Sequence, residues 1–367
     1  MVDILQKYAH LLVHYCLEIK PDEKLYISTT TLAEPLLREV YREAVKAGAL
    51  VDFNMSFREQ NRIFIAEAND RQLDYVLPAY KEMMESYDAY LVIRAPFNIR
   101  EDVSNDPKKS ARRQEALNIV NQIYTKRIAD RSLKRCLCQF PTQAAAQEAG
   151  MSLEEYEYFV YNACHLYSDD PSAEWIKVQN QQQHIVDFLN QCGNITYKNK
   201  ASDISFSVKG RTWINSDGRS NMPSGEVFSS PIENSVNGTI YFDYPTVFMG
   251  HEVAGVTLNV SEGKVISWQA EKGKEFLDHI FTIDGARYFG EVAIGTNYQI
   301  QKPTKNILFD EKIGGSVHMA LGQSYKQTGG LNKSPIHWDL ISNMKDGGEI
   351  WADHRLIYKN GKFLLGE

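Results

Sequence analysis

The sequence predicts an α/β N-terminal domain with a mostly parallel sheet, followed by an α+β domain rich in antiparallel strands that carries a metal site. Three observations point there. Strand-like and helix-like runs alternate through the first half, a helical stretch runs from Ser152 to Asn190, and short β-favouring runs joined by turns follow. A chain of 367 residues exceeds what one small core organises, so two domains are expected, 1–190 and 191–367, with the boundary near Gln191 to Gly193.

In the first half, Lys24-Leu25-Tyr26-Ile27-Ser28-Thr29 reads as a short strand. Leu32 to Ala47 follows with helical apolar spacing and stops at Gly48. Strand patterns return at Ala49 to Met55, at Tyr87 to Arg94 and at Arg135 to Pro141. Strands alternating with helices need crossover connections, which give a parallel sheet. Ser152-Leu153-Glu154-Glu155 opens the later helices as a capping box. In the second half, Asn194 to Tyr197, Asp203 to Val208 and Gly255 to Val260 are strand-like, and Glu262-Gly263-Lys264 is a hairpin turn. A helix is expected near Lys272 to Ile283.

Composition narrows the function. Apolar residues make up 43% and charged residues 24%, a globular balance, and the formal charge of -7 argues against a nucleic-acid partner. The basic run from Lys108 to Arg113 follows Asn105-Asp106-Pro107 and reads as the start of a solvated helix. Five cysteines at wide spacings imply no disulfide framework and suit the cytoplasm; Cys136 and Cys138 read as packing residues on one strand face. The first seven residues read as a helix and not as a signal peptide, and no window approaches a membrane span.

Several motifs can be set aside. His251-Glu252 has Gly255 where a helical zinc-protease motif needs its second histidine. No G-x-S-x-G elbow, P-loop or helix-opening G-x-G-x-x-G is present. His10 and His14 share a helix face but have no neighbouring carboxylate in sequence.

Five residues of the last 150 form a different picture. In His337-Trp338-Asp339, an extended backbone turns the imidazole and the carboxylate to one side and the indole to the other. Such a pair suits zinc or cobalt, and the tripeptide alone reads equally as a surface histidine beside a solvated aspartate. His318 lies in an apolar, small-residue run, where it is either a ligand or a satisfied core histidine, and Tyr325 follows seven residues on. Glu226 and Glu291 are pressed between glycines and apolar residues, where a carboxylate is costly without a compensating cation. Glu311, beside Asp310 and Lys312, reads as an ordinary ion-pair former.

Four segments, Asn221 to Phe228, Gly290 to Asn297, Gly315 to Gly322 and His337 to Asp339, closely resemble signatures of the M29 family of metallo-aminopeptidases, of the aminopeptidase T, aminopeptidase S and PepS type. The order and approximate spacing match, and the resemblance extends over nearly the whole chain. It implies a homodimer that releases N-terminal amino acids from peptides through a water activated by two metals. The cofactors implied are two divalent ions per chain, zinc or cobalt, with magnesium as a further candidate. Carried over by motif, the metal ligands are Glu226, Glu291, His318, His337 and Asp339. Tyr325 matches the family tyrosine at or beside the metals, and Glu291 doubles as proton shuttle. The stretch between Tyr325 and His337 is shorter than in many relatives, so pocket shape is not carried over. Two other readings compete: a ring-cleaving dioxygenase of a related fold with one Fe(II), and a non-catalytic binding protein of the same fold.

Overall fold

A computed structural model describes residues 3–365; Met1 and Val2, which the sequence reading placed in the first helix, lie outside the described residues. That helix spans Ile4–His10 and is capped by Asp3, whose side chain accepts from the Leu5 amide. Two compact units emerge. One holds residues up to Ser172 together with Gly218–Pro223, and the other holds Ala173–Asp217 and everything from Ser224.

The first unit is the expected α/β domain. Strands β1 (Lys24–Thr30), β2 (Leu50–Ser56), β3 (Ala89–Arg94) and β4 (Lys134–Gln139) form a parallel sheet in the order β2-β1-β3-β4, and the short strand Asn221–Met222 extends it beside β4. The helix Glu34–Lys46 returns the chain from β1 to β2 and buries Leu36, Leu37, Val40 and Ala44, one stripe at helical spacing. Period-two alternation buries Ala89, Leu91 and Ile93 together with Cys136 and Cys138. The basic run opens the helix Pro107–Ala129, where the Asp106 carboxylate accepts from the amides of Lys108 and Lys109. Ser152 and Glu155 make the reciprocal capping box of the helix Leu153–Ala163. Among the described residues, no helix is long and apolar enough to cross a membrane.

The second unit begins earlier than residue 191. In the helix Pro171–Leu189, the side chains of Ile185, Val186 and Leu189 belong to the apolar core of that unit, which is why the helix goes with it. The unit has two sheets. The nine-stranded one contains the expected strands Asn194–Lys198, Asp203–Ser207 and His251–Ser261. The hairpin forms between His251–Ser261 and Lys264–Lys272, with Glu262 and Gly263 both at positive φ as its two-residue turn requires.

The other sheet carries the candidate site. It consists of β5 (Ile214–Ser216), β6 (Glu226–Ser229), β7 (Phe289–Gly295), β8 (Ser316–Gly322) and β9 (His337–Asn343), all antiparallel, in the order β9-β8-β7-β6-β5. One face joins the shared core through Val227, Val292, Ile294, Val317, Met319, Leu321, Trp338 and Leu340.

A break in the pleat lies just before Glu291, whose face is set by alternation with the core residues Val292 and Ile294. Phe289 pairs with Leu321 and Glu291 pairs with Ala320, so Gly290 is an extra residue on β7. This bulge lets Phe289 join the core while Glu291, two residues on, takes the opposite face. A side chain cannot replace Gly290: its Cβ would come 2.2 Å from the Gln323 carbonyl oxygen and 2.4 Å from that of Gly322. The Ser230 hydroxyl fixes the same turn by donating to the Gly290 carbonyl at 2.6 Å. Gly290→Ala is therefore expected to cost about 2–3 kcal/mol in urea unfolding, an overpacking penalty on backbone that has nowhere to move. An unchanged midpoint would show that the bulge is not rigid.

Candidate metal centre

The face opposite the core collects the five residues singled out in the sequence. Glu291 lies opposite Ala320, which lies opposite Asp339. His318 is two residues before Ala320 on β8, and His337 is two before Asp339 on β9, so both share that face. Glu226 lies opposite Gly295, four residues along from Glu291. Between them the face carries Ala293, Ala320 and Gly295, small residues that leave space above the sheet.

The contacts are close and mostly buried. His337 Nε2 is 3.0 Å from Glu291 Oε2 and 3.5 Å from Asp339 Oδ1. His318 Nε2 is 3.6 Å from Glu291 Oε1 and 3.4 Å from Glu226 Oε2. Glu291 therefore turns one oxygen to each histidine. His337 Nδ1 lies 2.8 Å from the Gln323 carbonyl, and donating to it turns Nε2 toward the carboxylates. Trp338 packs away from this cluster, stacked on Phe248 with ring centroids 5.1 Å apart.

Two ligand groups result. Glu291, His337 and Asp339 form one; Glu226, His318 and Glu311 form the other; within each, one ligand atom per residue lies within 4.8 Å of the others. Glu311 forms the ion pair expected of it and also lies in a candidate ligand group. The pair with Lys312 lies at the buried edge of this cluster, where Lys312 itself is fully buried and 3.7 Å from Glu226 Oε1. The signal available in the sequence was a charged triplet, Asp310-Glu311-Lys312, enclosed between Phe309 and Ile313, both fully buried.

The electrostatics follow from burying four carboxylates and two imidazoles together with one lysine. Burial pushes Glu311 up to about 8 and also raises Glu226, against the pull of Lys312 on both. Burial would raise Glu291 and Asp339 too, yet the imidazoles beside them hold both below the usual range, Asp339 at about 2. Burial disfavours the imidazolium form of His318, but Glu291 and Glu226 overcome this and raise it to about 9. Protons on the imidazoles thus stand in for missing positive charge. Glu226 Oε2, Asp339 Oδ1 and both ring nitrogens of His318 are buried without a hydrogen-bond partner. Orphaned lone pairs on carboxylate and imidazole, in a cluster short of cations, fit a divalent metal.

Tyr325 stands at the mouth, 43% exposed, with its ring 5.0 Å from that of His337 and 5.6 Å from that of Phe228. Elsewhere, His251-Glu252 starts a strand, and Glu252 pairs with Lys272 and Lys305. The His10 and His14 pair does acquire a carboxylate, Glu43 of a neighbouring helix, at 2.9 Å from His14 Nε2, although this group is largely exposed.

The sequence profile of the thermophilic metalloprotease family (M29) matches residues 2–363. The chain belongs to the M29 family. Aminopeptidase 2 of Geobacillus stearothermophilus is 30% identical over 391 residues, covering 93% of this chain and 92% of that protein. Aminopeptidase AmpS of Bacillus subtilis is 24% identical, with 98% of each chain covered. The structure of wild-type AmpT from Thermus thermophilus superposes with a TM-score of 0.85 over 99% of both chains at 22% identity, the same fold. This M29 protein is an enzyme, a hydrolase of the metallo-aminopeptidase kind. Family and relatives favour that reading over a dioxygenase or a non-catalytic binder.

Proposed function

We propose that this M29 chain releases N-terminal amino acids from peptides with two divalent cations, zinc or cobalt with magnesium as a further candidate, bound on the β6–β9 face. The observation that carries the reading is the placement of Glu291, one oxygen toward His318 and the other toward His337, between two ligand groups. Glu291, His337 and Asp339 would hold one cation, and Glu226, Glu311 and His318 the other. Cations bound there supply Lewis-acid polarisation of the scissile carbonyl and a water acidic enough to attack near neutral pH.

The chain's own residues supply the rest. The Tyr325 hydroxyl donates to the carbonyl oxygen as it gains charge under attack. The carboxylate excess favours a substrate that carries a free α-ammonium, which orients the peptide by its N-terminus. Glu291 moves the proton from the attacking water to the leaving amine; Glu311, grouped with Glu226 and His318, is the second carboxylate proposed for that role. A homodimer in the cytoplasm belongs to the same proposal, supported by the family resemblance and by five free cysteines.

Metal-loaded protein is expected to hydrolyse aminoacyl anilides and to spare their N-acetyl counterparts. Glu226→Gln is expected to lower kcat/KM by about a hundredfold or more, through loss of a carboxylate whose charge the cation needs. Undiminished hydrolysis by that variant would overturn the assignment of Glu226, and equal cleavage of acetylated substrates would overturn the exopeptidase reading.

A further inference from the structure

Lys312 is the one group in the cluster that a metal site does not call for. Its side chain is fully buried, it follows the short helix Ile307–Asp310, and its own backbone is fixed: the amide donates to the Phe309 carbonyl, and the carbonyl accepts from the Asn297 amide at 3.0 Å. Its ammonium pairs with Glu311 and lies 3.7 Å from Glu226 Oε1. Both carboxylates belong to one ligand group, Glu226–Glu311–His318; the carboxylates of the other group, Glu291 and Asp339, form their ion pairs with histidines.

Resting on the two-cation reading, we infer that Lys312 makes the two cation sites unequal, so that Glu291–His337–Asp339 holds its ion tightly and Glu226–Glu311–His318 holds an exchangeable one. The ammonium already neutralises part of the charge of Glu226 and Glu311. A divalent ion entering that group must compete for the same oxygens and sit beside a fixed like charge in a buried site, where such repulsion is weakly screened. In the other group Lys312 forms no ion pair and reaches Asp339 only through a weaker attraction at longer range. The fixed backbone and full burial of Lys312 hold its ammonium beside the oxygens of Glu226 and Glu311. The weaker ion therefore equilibrates with free metal, and the occupancy of the second site follows the ambient metal concentration.

The test is equilibrium dialysis of the apo full chain against Zn²⁺ and, separately, Co²⁺, with bound metal quantified by mass spectrometry. A His14→Ala background removes the exposed His10–His14–Glu43 group, so that only the buried sites are counted. Wild-type ligands are expected to give two binding constants separated by about a hundredfold. His318→Gln is expected to lose only the weak event. Lys312→Met, similar in shape and uncharged, is expected to narrow the gap to about tenfold or less; one ion bound by Lys312 protein and two by the variant would support the inference equally. Two indistinguishable constants in the wild-type protein, or an unchanged gap in Lys312→Met, would overturn it while leaving the two-cation reading intact. No retained metal in any form would overturn both. Should Lys312→Met fail to fold, Lys312→Gln and the wild-type isotherm decide the matter.

Discussion

Glu291→Gln is expected to reduce kcat/KM for aminoacyl anilides by about a thousandfold or more, the largest effect of any single substitution in the cluster. The reason is geometric. Each carboxylate oxygen faces a different histidine, at 3.0 Å from His337 Nε2 and at 3.6 Å from His318 Nε2. An amide of the same shape has one acceptor oxygen and one NH₂ group, so whichever way it turns it presents donor hydrogens to one ligand group. It also removes the negative charge that both groups share. The backbone is not at issue, because the regular register from Glu291 onward sets the direction of the side chain whatever its chemistry. Steady-state kinetics with parallel metal analysis separates the two losses: metal content falls together with turnover if Glu291 binds cations, and turnover alone falls if it only carries the proton. Activity within tenfold of the unmodified protein would refute both roles.

Stripping the metal is the second large effect. Dialysis against a chelator is expected to abolish hydrolysis and to lower Tm, and added Zn²⁺ or Co²⁺ to restore both. The cluster buries four carboxylates, Glu226, Glu291, Glu311 and Asp339, with one lysine that pairs with Glu226 and Glu311, and Glu226 Oε2 and Asp339 Oδ1 lack hydrogen-bond partners. A ligand that binds only the folded state stabilises it by about 4 kcal/mol at a thousandfold excess over Kd. For a unit of this size that corresponds to a shift of about 8 °C or more. Calorimetry at matched ionic strength measures the shift. Full activity in the presence of chelator, at a concentration that removes all detectable metal, would argue against metal-dependent catalysis.

Part of this architecture was legible because local chemistry and tertiary structure agree. The capping box at Ser152, the Asp106 cap and the Glu262-Gly263 turn are backbone requirements written into neighbouring residues, and each forms where its pattern lies. His337-Trp338-Asp339 was legible for a similar reason: strand alternation alone sends its outer residues to one face and its tryptophan to the other. Glu291 was conspicuous because glycine and apolar neighbours give a carboxylate no local partner.

Other features were hidden by the same local logic. Lys312 adjoins Glu311 in sequence, and adjacent opposite charges read as a solvated pair that satisfies itself; burial of that pair against Glu226 depends on a strand 80 or more residues earlier. Glu43 lies 29 residues from His14 on a different helix, so the surface group around the two histidines had no visible carboxylate. The helix Pro171–Leu189 ends the helical half of the chain, but its apolar stripe belongs to the second core.

Sequence by itself determined the elements, the family and which acidic and imidazole side chains needed partners, because propensity, alternation and the cost of burying a charge act over a few residues. Tertiary structure decided which of those side chains meet. The register of β6 to β9 gathers Glu226, Glu291, His318, His337 and Asp339 on a single face, and the segment after the helix Ile307–Asp310 brings Glu311 and a buried lysine against Glu226. Register is a long-range quantity, in which a one-residue slip would send every side chain of a strand to the other face, and no window of sequence contains it.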